Sequence, residues 1–522
     1  MFLQNTKHLQ QSLFGLDLQL PEAKQKKLLA SKEALFYKLI FCNIHEEDFS
    51  ILYSSKGSRP NAPLNTLVSA IILQNHNGWT VEELLNRIDF DLLTRYALGI
   101  NNIEDTPFCQ STYFNFQNKI AQHFGETGEN PLEKVFDHLT AKQLKELKIK
   151  ADIQRTDSFQ ALSNIRTYSR VQLLIEVLIR LSRILTEQDA LRCKELLSTY
   201  CSKSSSQYVY TLKHDDFPHE LTKLGALYHK LYTMLHEHYS EIEGFKVFER
   251  VYREHFAIDG ESVVIITPTS SSLQSPDDLD ATYRHKNEED FHGEVVSVVE
   301  TAHPENAINL ITDVAVCANN VDDSIILNGR LELLKEKTPE LTELHTDGGY
   351  GSSGNDLIME KEGINHVQTA VRGREAAVDI IIDKSDDGSY TVSCPVQTVL
   401  SGKTKKRYKA VFDSEKCNNC DNATTCPAVQ QQTGRVFYFD EEKARMSKRV
   451  RNIANIPEER RRIRPNVEAT MKEFTKPFNH RGKLRVRGLF KTIVFAFTRA
   501  IAINFGRIFR LVMGGGIPQL VL

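Results

Sequence analysis

Three acidic residues, far apart in the sequence, stand at the ends of predicted secondary-structure elements. Asp157 ends the strand predicted within residues 147–159, and Asp347 follows a later short strand. Glu468 lies in the first turn of a helix predicted to begin near Pro465. Strand ends and a helix start can meet in an α/β fold, so these carboxylates are candidates for one cluster. Such a cluster suits Mg²⁺ or Mn²⁺, and two ions ~3.5–4 Å apart can support phosphodiester chemistry.

Each of these acids also fits a structural role. Asp347 begins the sequence DGGYG, where an Asp before glycines often forms a turn. Asp157 could cap the next segment, and Glu468 could lie on a solvated helix face. Asp152 is the alternative to Asp157 as the first acid of the cluster, and Glu473 is the alternative to Glu468 as the third. The glycines after Asp347 do not form a phosphate loop, because no Gly-Lys-Ser/Thr follows them.

Four of the nine cysteines are clustered in the sequence. Cys394 is followed, after a long loop, by Cys417, Cys420 and Cys426 in CNNCDNATTC. One CxxC pair with two further thiols has the ligand count of a structural Zn²⁺ site. Packing cysteines or a redox pair are the alternatives. The first twenty residues lack the pattern of a signal peptide, which argues against a disulfide framework and predicts a cytoplasmic location.

Positive charge is concentrated near the carboxyl end. The formal net charge of the chain is −3, yet residues 441–512 contain 19 Lys or Arg against six Glu and no Asp. A basic block of this size is typical of a protein with a polyanionic partner, although arginine runs also occur on solvated helix faces. Charge therefore favours nucleic acid as the partner. The apolar stretch 493–512 is interrupted by arginines and is interpreted as a core helix, so no membrane partner is expected.

The order of predicted elements indicates a mixed α/β protein with a helical amino-terminal domain. Residues 64–74 have helical spacing, and Thr80 with Glu83 forms a capping-box pattern at the next helix. Such a helix pair suits a helix-turn-helix-like unit but is also common in structural domains. Strands alternate with helices between residues 293 and 370, after a long helical stretch at 171–254.

Several motifs together resemble the DDE transposases of bacterial insertion sequences, over nearly the whole chain. The amino-terminal part of the resemblance lies in SRPNAPLNTLVSAIILQ, GWTVEELLNRIDFDLLTRYALGI and STYFNFQNKI. The central part lies in SPDDLDATYRHKNEEDFHGEVVSVVETA, LITDVAVCANNVDDS and HTDGGYGS, and the last part in RIRPNVEATMKEF and RGKLRVRGLFKTIVFAFTRAIAINFGRI. HTDGGYGS matches the second-Asp motif of the family, and the Glu468 segment matches its catalytic-Glu motif. A similar CP-then-CxxC arrangement also occurs in this group.

The resemblance implies an RNase H-like catalytic core with two insertions. The predicted segments are a helical DNA-binding domain (1–145), the first part of the core (146–170), a helical insertion (171–255), the second part of the core (256–371), a cysteine-rich, zinc-ribbon-like insertion (372–440) and a basic helical end (441–522).

The resemblance also implies a mechanism without a covalent protein–DNA intermediate. One strand is cut at each element end, and the released 3′-hydroxyl then attacks another phosphodiester. Asp157 is expected to bridge two metal ions, with Asp347 and Glu468 each completing the shell of one. Double-stranded DNA is the expected partner, and a homodimer is expected on it because two element ends must be held together.

Basic residues near Glu468 are the candidate DNA contacts. Arg464 keeps the arginine spacing of the family before the Glu, whereas position 461 is Arg where relatives often have Tyr. The family's lysine position is occupied by Thr475, so Lys472, one helical turn past Glu468, is the substitute candidate. The full set of predicted DNA-binding residues is Arg461, Arg464, Lys472, Arg481, Lys483, Arg485 and Arg487.

Two other functions compete with an active transposase. A catalytically inactive DNA-binding descendant would not require acids at all three positions, and all three are present. An RNase H-like nuclease without strand transfer would have the same acids. The choice between cutting alone and cutting with joining depends on the resemblance.

Overall fold

A computed structural model describes most of the chain. The described residues are 1–9, 15, 18–54, 57, 59–260, 262–370, 378–385, 387–432 and 434–515. The boundary predicted between residues 371 and 372, and the last seven positions of the predicted 441–522 segment, lie outside them.

The amino-terminal region is helical, as predicted. A 3-10 helix, Glu46–Leu52, follows its second α-helix. The α-helices are α1 (Glu22–Leu29), α2 (Lys32–Leu39), α3 (Leu64–Asn77), α4 (Val81–Phe90), α5 (Leu92–Ala97), α6 (Gln110–Thr127) and α7 (Pro131–Glu146).

Helices α3 and α4 form the predicted helix pair. Gly78 ends α3 with a backbone φ of 70°, a left-handed conformation that glycine adopts without steric cost. The predicted capping box is present at α4: the Thr80 side chain accepts a hydrogen bond from the Glu83 N–H, and the Glu83 carboxylate accepts one from the Thr80 N–H. Ten consecutive residues of α3 are buried, so α3 is a core helix.

The central region alternates between strands and helices. Five helices follow its first strand, and they pack around a hydrophobic core of their own. In chain order the elements are β1 (Ile153–Leu162), α8 (Arg170–Ser182), α9 (Glu187–Cys201), α10 (Ser205–Tyr210), α11 (Phe217–Tyr239), α12 (Glu243–His255), β2 (Phe256–Asp259), β3 (Ser262–Ile265), β4 (Thr282–Lys286), β5 (Glu289–Thr301), β6 (Ile311–Ala318), α13 (Asp323–Lys337), β7 (Glu343–Thr346), α14 (Ser353–Glu362) and β8 (Asn365–Gln368).

The main sheet is mixed, in agreement with the predicted fold class. Its strand order is β4-β5-β1-β7-β8, with β6 also paired to β5. The β1–β5, β4–β5 and β5–β6 pairs are antiparallel, whereas β1–β7 and β7–β8 are parallel. Strand β1 is therefore central, and residues placed along it are held from both sides.

A second sheet follows, in the part of the chain that contains the clustered cysteines. Its strand order is β13-β14-β12-β11-β10-β9, and every pair is antiparallel. The elements are β9 (Ile381–Lys384), β10 (Tyr390–Ser393), β11 (Thr398–Lys403), β12 (Tyr408–Phe412), α15 (Ser414–Asn418), β13 (Val429–Gln431) and β14 (Gly434–Phe439).

Four helices complete the described chain: α16 (Glu441–Ala454), α17 (Glu458–Arg461), α18 (Val467–Thr475) and α19 (Leu489–Met513). By length and composition α19 could cross a membrane, but 89% of its most apolar stretch is buried inside the protein. It packs against α3, α7 and β6 and shares one hydrophobic core with them. The prediction of a core helix in this stretch is confirmed.

Candidate catalytic site

Asp157 lies in the middle of β1. The prediction that it ends the strand is wrong, because residues 158–162 continue to pair with the long strand β5. On the other side of β1, pairing with β7 covers only Ile153–Arg155. Asp157 thus stands just past the end of the β7 ladder, where this edge of β1 is open. One of its carboxylate oxygens accepts a hydrogen bond from the Ser158 N–H at 2.9 Å.

Asp347 immediately follows β7. Its Oδ1 accepts a hydrogen bond of 2.7 Å from the Gly349 N–H, so it caps the 3-10 turn Gly348–Tyr350. The turn-forming role considered for this residue is therefore present. Its Oδ2 points elsewhere, toward Arg464. A single carboxylate thus both shapes the turn after β7 and contributes to the site.

Arg464 connects the three predicted acids. Its guanidinium lies 2.8 Å from Asp157 Oδ2, 3.6 Å from Asp347 Oδ2 and 3.9 Å from Glu468 Oε1. Glu468 is in the first turn of α18, and its side chain is 62% exposed, against 13% for Asp157. The structure thus brings the three acids together around one cation.

The two competing acids lie in other environments. Asp152 faces His303 at 3.8 Å, and Glu473 is held by Arg507 and Arg510 at 2.8 and 2.9 Å. Neither has a described contact with Arg464.

Negative charge in this group exceeds positive charge. Burial raises the pKa of the Asp157 carboxyl, Arg464 opposes this shift, and the charges of Asp347 and Asp323 add to it. Three carboxylates around one guanidinium carry a net negative charge, which favours the binding of further cations. Oxygen donors of this kind fit Mg²⁺ or Mn²⁺.

Asp323, which the sequence analysis did not single out, lies beside this group. It begins α13, and its Oδ1 accepts a hydrogen bond of 2.6 Å from the Ser158 hydroxyl. Its charge, with that of Asp157, raises the pKa of the buried Tyr350, although burial is the larger cause. The only sequence signal was the acidic pair at the start of a helix, which is common at helix N-termini.

A buried ion network holds α18 against β1. Arg155, two residues before Asp157, donates to Glu300 of β5 at 2.8 Å and to the Ile463 carbonyl at 2.8 Å. Glu300 also accepts from Arg507 of α19 and from Thr470 of α18, each at 2.7 Å. These bonds fix the segment that carries Arg464 and Glu468. In the sequence, the sign of this network is that Glu300 and Arg507 are charged residues within otherwise apolar segments.

Four of the predicted DNA-binding residues donate to backbone carbonyls: Arg461 to Ile453 (3.2 Å), Lys483 to Ile165 (2.7 Å), Arg485 to Gly78 (3.1 Å) and Arg487 to Asn164 (2.7 Å). These contacts hold the side chains against neighbouring segments. Lys483 is half-buried, whereas exposed residues are found at Arg461, Lys472, Arg481, Arg485 and Arg487.

The four clustered cysteines are neighbours at one end of the second sheet. Cys394 follows β10, Cys417 is in α15, and Cys417 accepts a backbone hydrogen bond from Cys420. Burial raises the pKa of the Cys417 thiol, and the charges of Cys394, Cys426 and Cys420 add to it. All four are free thiols.

Donor atoms within 4.8 Å of one another are found, among the described residues, at His45, Asp48 and His138. Neither the cysteine sulphurs nor the three carboxylates around Arg464 reach that mutual spacing in the described part of the chain. Arg464 accounts for the spacing of the carboxylates, because its guanidinium stands between them.

Two family models match the chain. A transposase DDE domain matches residues 390–509, which include Glu468, and a transposase domain (DUF772) matches residues 28–119. Asp157 and Asp347 lie outside both matched ranges. No curated protein and no solved structure matches the chain.

Proposed function

Since the chain belongs to the insertion-sequence DDE transposases, we propose that it cuts DNA at the ends of its element and joins it to target DNA, with Asp157, Asp347 and Glu468 as the catalytic triad. The observation that carries the proposal is the convergence of these carboxylates on Arg464. They come from the central strand, the end of the neighbouring strand and a helix that follows the second sheet.

The catalytic core is RNase H-like in this proposal. Support comes from the main sheet, in which an antiparallel set of strands, β6-β5-β1, continues into two strands parallel to β1. The second sheet, β9–β14, lies between β8 and the helix that carries Glu468. It is then an insertion in the core, and its cysteines hold a structural Zn²⁺.

Two divalent ions, Mg²⁺ or Mn²⁺, fit the donor set of Asp157, Asp347 and Glu468. When bound, they activate the attacking oxygen and stabilise the leaving oxygen of the phosphodiester. Asp157 is the most buried of the three acids and lies between the other elements, which suits a ligand shared by both ions. Asp347 and Glu468 are more exposed, and each would hold one of the two ions.

Arg464 has two successive roles in this proposal. Without DNA its guanidinium partly neutralises the carboxylates. When metal ions bind the carboxylates, they would replace the guanidinium as the neighbouring positive charge. Arg464 would then donate to a phosphate beside the cleaved bond. A planar guanidinium suits both partners, because it donates in a fork to carboxylate or phosphate oxygens.

DNA binding depends on the exposed cations near the site. Lys472 is one helical turn past Glu468, and Arg461 and Arg481 are also exposed. The chain acts as a homodimer on DNA, because two ends must be held together, and it works in the bacterial cytoplasm on nucleoid DNA. Each neutralised phosphate steepens the salt dependence of binding by ~0.9 in log–log slope.

The test is cleavage of DNA that carries the element ends, with Mg²⁺ or Mn²⁺. Asp347→Ala and Glu468→Ala are expected to abolish metal-dependent nicking while DNA binding is retained. Glu459→Ala is the matched control, because Glu459 is an exposed acid in the same region. Strand transfer is then measured with a pre-cut 3′-end, which bypasses the first step.

The outcomes separate the competing functions. A wild-type protein that binds element ends without cutting them is the inactive descendant. Cutting without joining of the pre-cut end is the nuclease. Nicking that survives both alanine substitutions removes the triad assignment.

The zinc proposal has its own measurement. Metal analysis after gel filtration is expected to give close to one cysteine-bound Zn²⁺ per chain, lost in Cys417→Ser together with Cys420→Ser. Clearly substoichiometric zinc in folded wild-type protein would contradict it.

A further inference from the structure

We propose that His45, Asp48 and His138 form a second, separate metal site in the amino-terminal region, for a borderline cation such as Zn²⁺. Their donor atoms all lie within 4.8 Å of one another. His138 Nδ1 is 3.4 Å from Asp48 Oδ2. That separation is close to the ~3.4 Å expected between two ligands of a tetrahedral zinc ion with bonds of about 2.1 Å.

The chemistry of the donors selects the class of ion. Two imidazole nitrogens and one carboxylate oxygen suit Zn²⁺, Co²⁺ or Ni²⁺. Mg²⁺ prefers oxygen donors, so this site and the triad take different ions. With three protein ligands, a fourth position would remain for water, and both histidines are exposed to solvent.

Two observations at this cluster fit a bound cation. Asp48 Oδ2 is buried and accepts no described hydrogen bond, and its ion-pair contact with His138 Nδ1 is 3.4 Å long. The ring of His45 lies beside that of His138, with ring centroids 4.7 Å apart. A metal ion between the two rings would coordinate both imidazoles and place positive charge beside the Asp48 carboxylate.

The backbone holds these ligands in place through their buried neighbours. His45 lies one residue before Glu46 of the 3-10 helix and Asp48 two residues after it, and the buried Glu46 carboxylate accepts the Asn65 N–H at 2.8 Å. On α7, His138 stands next to Leu139, which is 2% exposed. A site held by buried neighbours loses little conformational entropy when it binds an ion.

Metal at this site would clamp the 3-10 helix to α7. The residue before His138, Asp137, contacts Lys337 of α13 at 2.8 Å, so α7 also contacts the central region. Helix α7 leads directly into β1. Bound metal would therefore stabilise the packing of the 3-10 helix against the helix that connects the amino-terminal region to the main sheet.

The test counts metal ions in the full chain. Wild type, the double variant His45→Gln/His138→Gln and the control His219→Gln/His238→Gln are equilibrated with Zn²⁺ in excess Mg²⁺, passed through gel filtration and analysed. The control changes two exposed histidines of α11. We expect the His45/His138 variant to contain one equivalent of zinc less than wild type, and the control to match wild type.

Cobalt spectra distinguish this site from the cysteines. Co²⁺ bound to thiolates gives intense charge-transfer bands, whereas the histidine–carboxylate site contributes only weak d–d bands. Only the weak bands are expected to fall in the His45/His138 variant, which should melt like wild type in EDTA. Equal zinc in all three proteins, or equal losses in both variants, would overturn the proposal. Neither readout involves DNA cleavage.

Discussion

Two acid–arginine clusters occupy neighbouring positions along β1, and they differ in charge balance. In the first, Glu300 is fully buried and contacts both Arg155 and Arg507 at 2.7 Å. In the second, Arg464 is the one cation among the described residues that faces Asp157 and two further carboxylates. Arg155 and Asp157 are two residues apart and therefore lie on the same face of the strand.

The difference separates a charge-balanced structural cluster from the cluster that we propose to be catalytic. A buried carboxylate with two guanidiniums and a threonine hydroxyl has its charge and hydrogen bonds satisfied, so the first cluster needs nothing from solution. The second retains excess negative charge at an open edge of the sheet. Such an imbalance is destabilising unless something binds there, which is typical of functional sites.

Removal of one acid from the proposed catalytic cluster is expected to have the largest effect. Asp347→Asn should lower strand cleavage by at least about 10³-fold, equivalent to about 4 kcal/mol of activation free energy. Its stability should be unchanged or increased, because like-charge repulsion is relieved. Cleavage rates and urea unfolding measure the two effects, and a variant that is inactive because it unfolds would contradict the distinction between the two clusters.

Removal of the acid from the structural cluster should act on stability. Glu300→Gln leaves the buried Arg155 without a carboxylate partner and Arg507 with Glu473 alone, which costs about 3–5 kcal/mol of unfolding free energy. Urea unfolding measures the loss, with the exposed Glu340→Gln as control. A loss below about 1 kcal/mol would mean that the network does not hold α18.

A third buried carboxylate, Glu294, has no arginine partner among the described residues. Burial, with the charge of Asp278, raises the pKa of Glu294 from its usual 4.5 to about 8. Between these values the folded state keeps the proton that the unfolded state has lost, so stability falls as pH rises, by up to about 1.4 kcal/mol per pH unit.

Glu294→Gln should remove this fall. Its stability advantage over wild type should therefore grow between pH 5 and pH 8. Unfolding curves at several pH values test this, with Glu289→Gln, an exposed acid of the same strand, as control. If the unfolding free energies of wild type and Glu294→Gln changed with pH in parallel, the raised pKa of Glu294 would be contradicted.

Single exposed cations should have the smallest effect. Arg481→Ala should reduce the log–log salt slope of DNA binding by about 0.9, the value for one phosphate contact. Arg192→Ala, which changes an exposed arginine of the helical region 171–254, should leave the slope unchanged. An unchanged slope in Arg481→Ala would exclude that contact.

Local patterns predicted the elements well, because they depend on periodicity and caps. The helices around residues 64–77 and 81–90, and the mixed sheet, have the types expected from such patterns. The length of β1 could not be predicted, because its second half is set by pairing with the distant strand β5.

The site was accessible from sequence only in part. The acids at 157, 347 and 468 stood out by motif, and the structure brings them together. Asp323 and the partners of Glu300 did not, since their roles arise from contacts between residues far apart in the chain. Long-range ion pairs leave no periodic trace in a sequence.

The burial of α19 has a consequence for the timing of folding during synthesis. This helix, about 37 Å long, is the last described element to leave the ribosome, yet it packs against α3 near the start of the chain. Translation of the interval between Asn77 and Met513 takes about 20–90 s. Throughout that time the apolar surface of α3 that packs against α19 is uncovered. Nascent chains that stop before residue 489 should therefore depend on chaperones or be degraded.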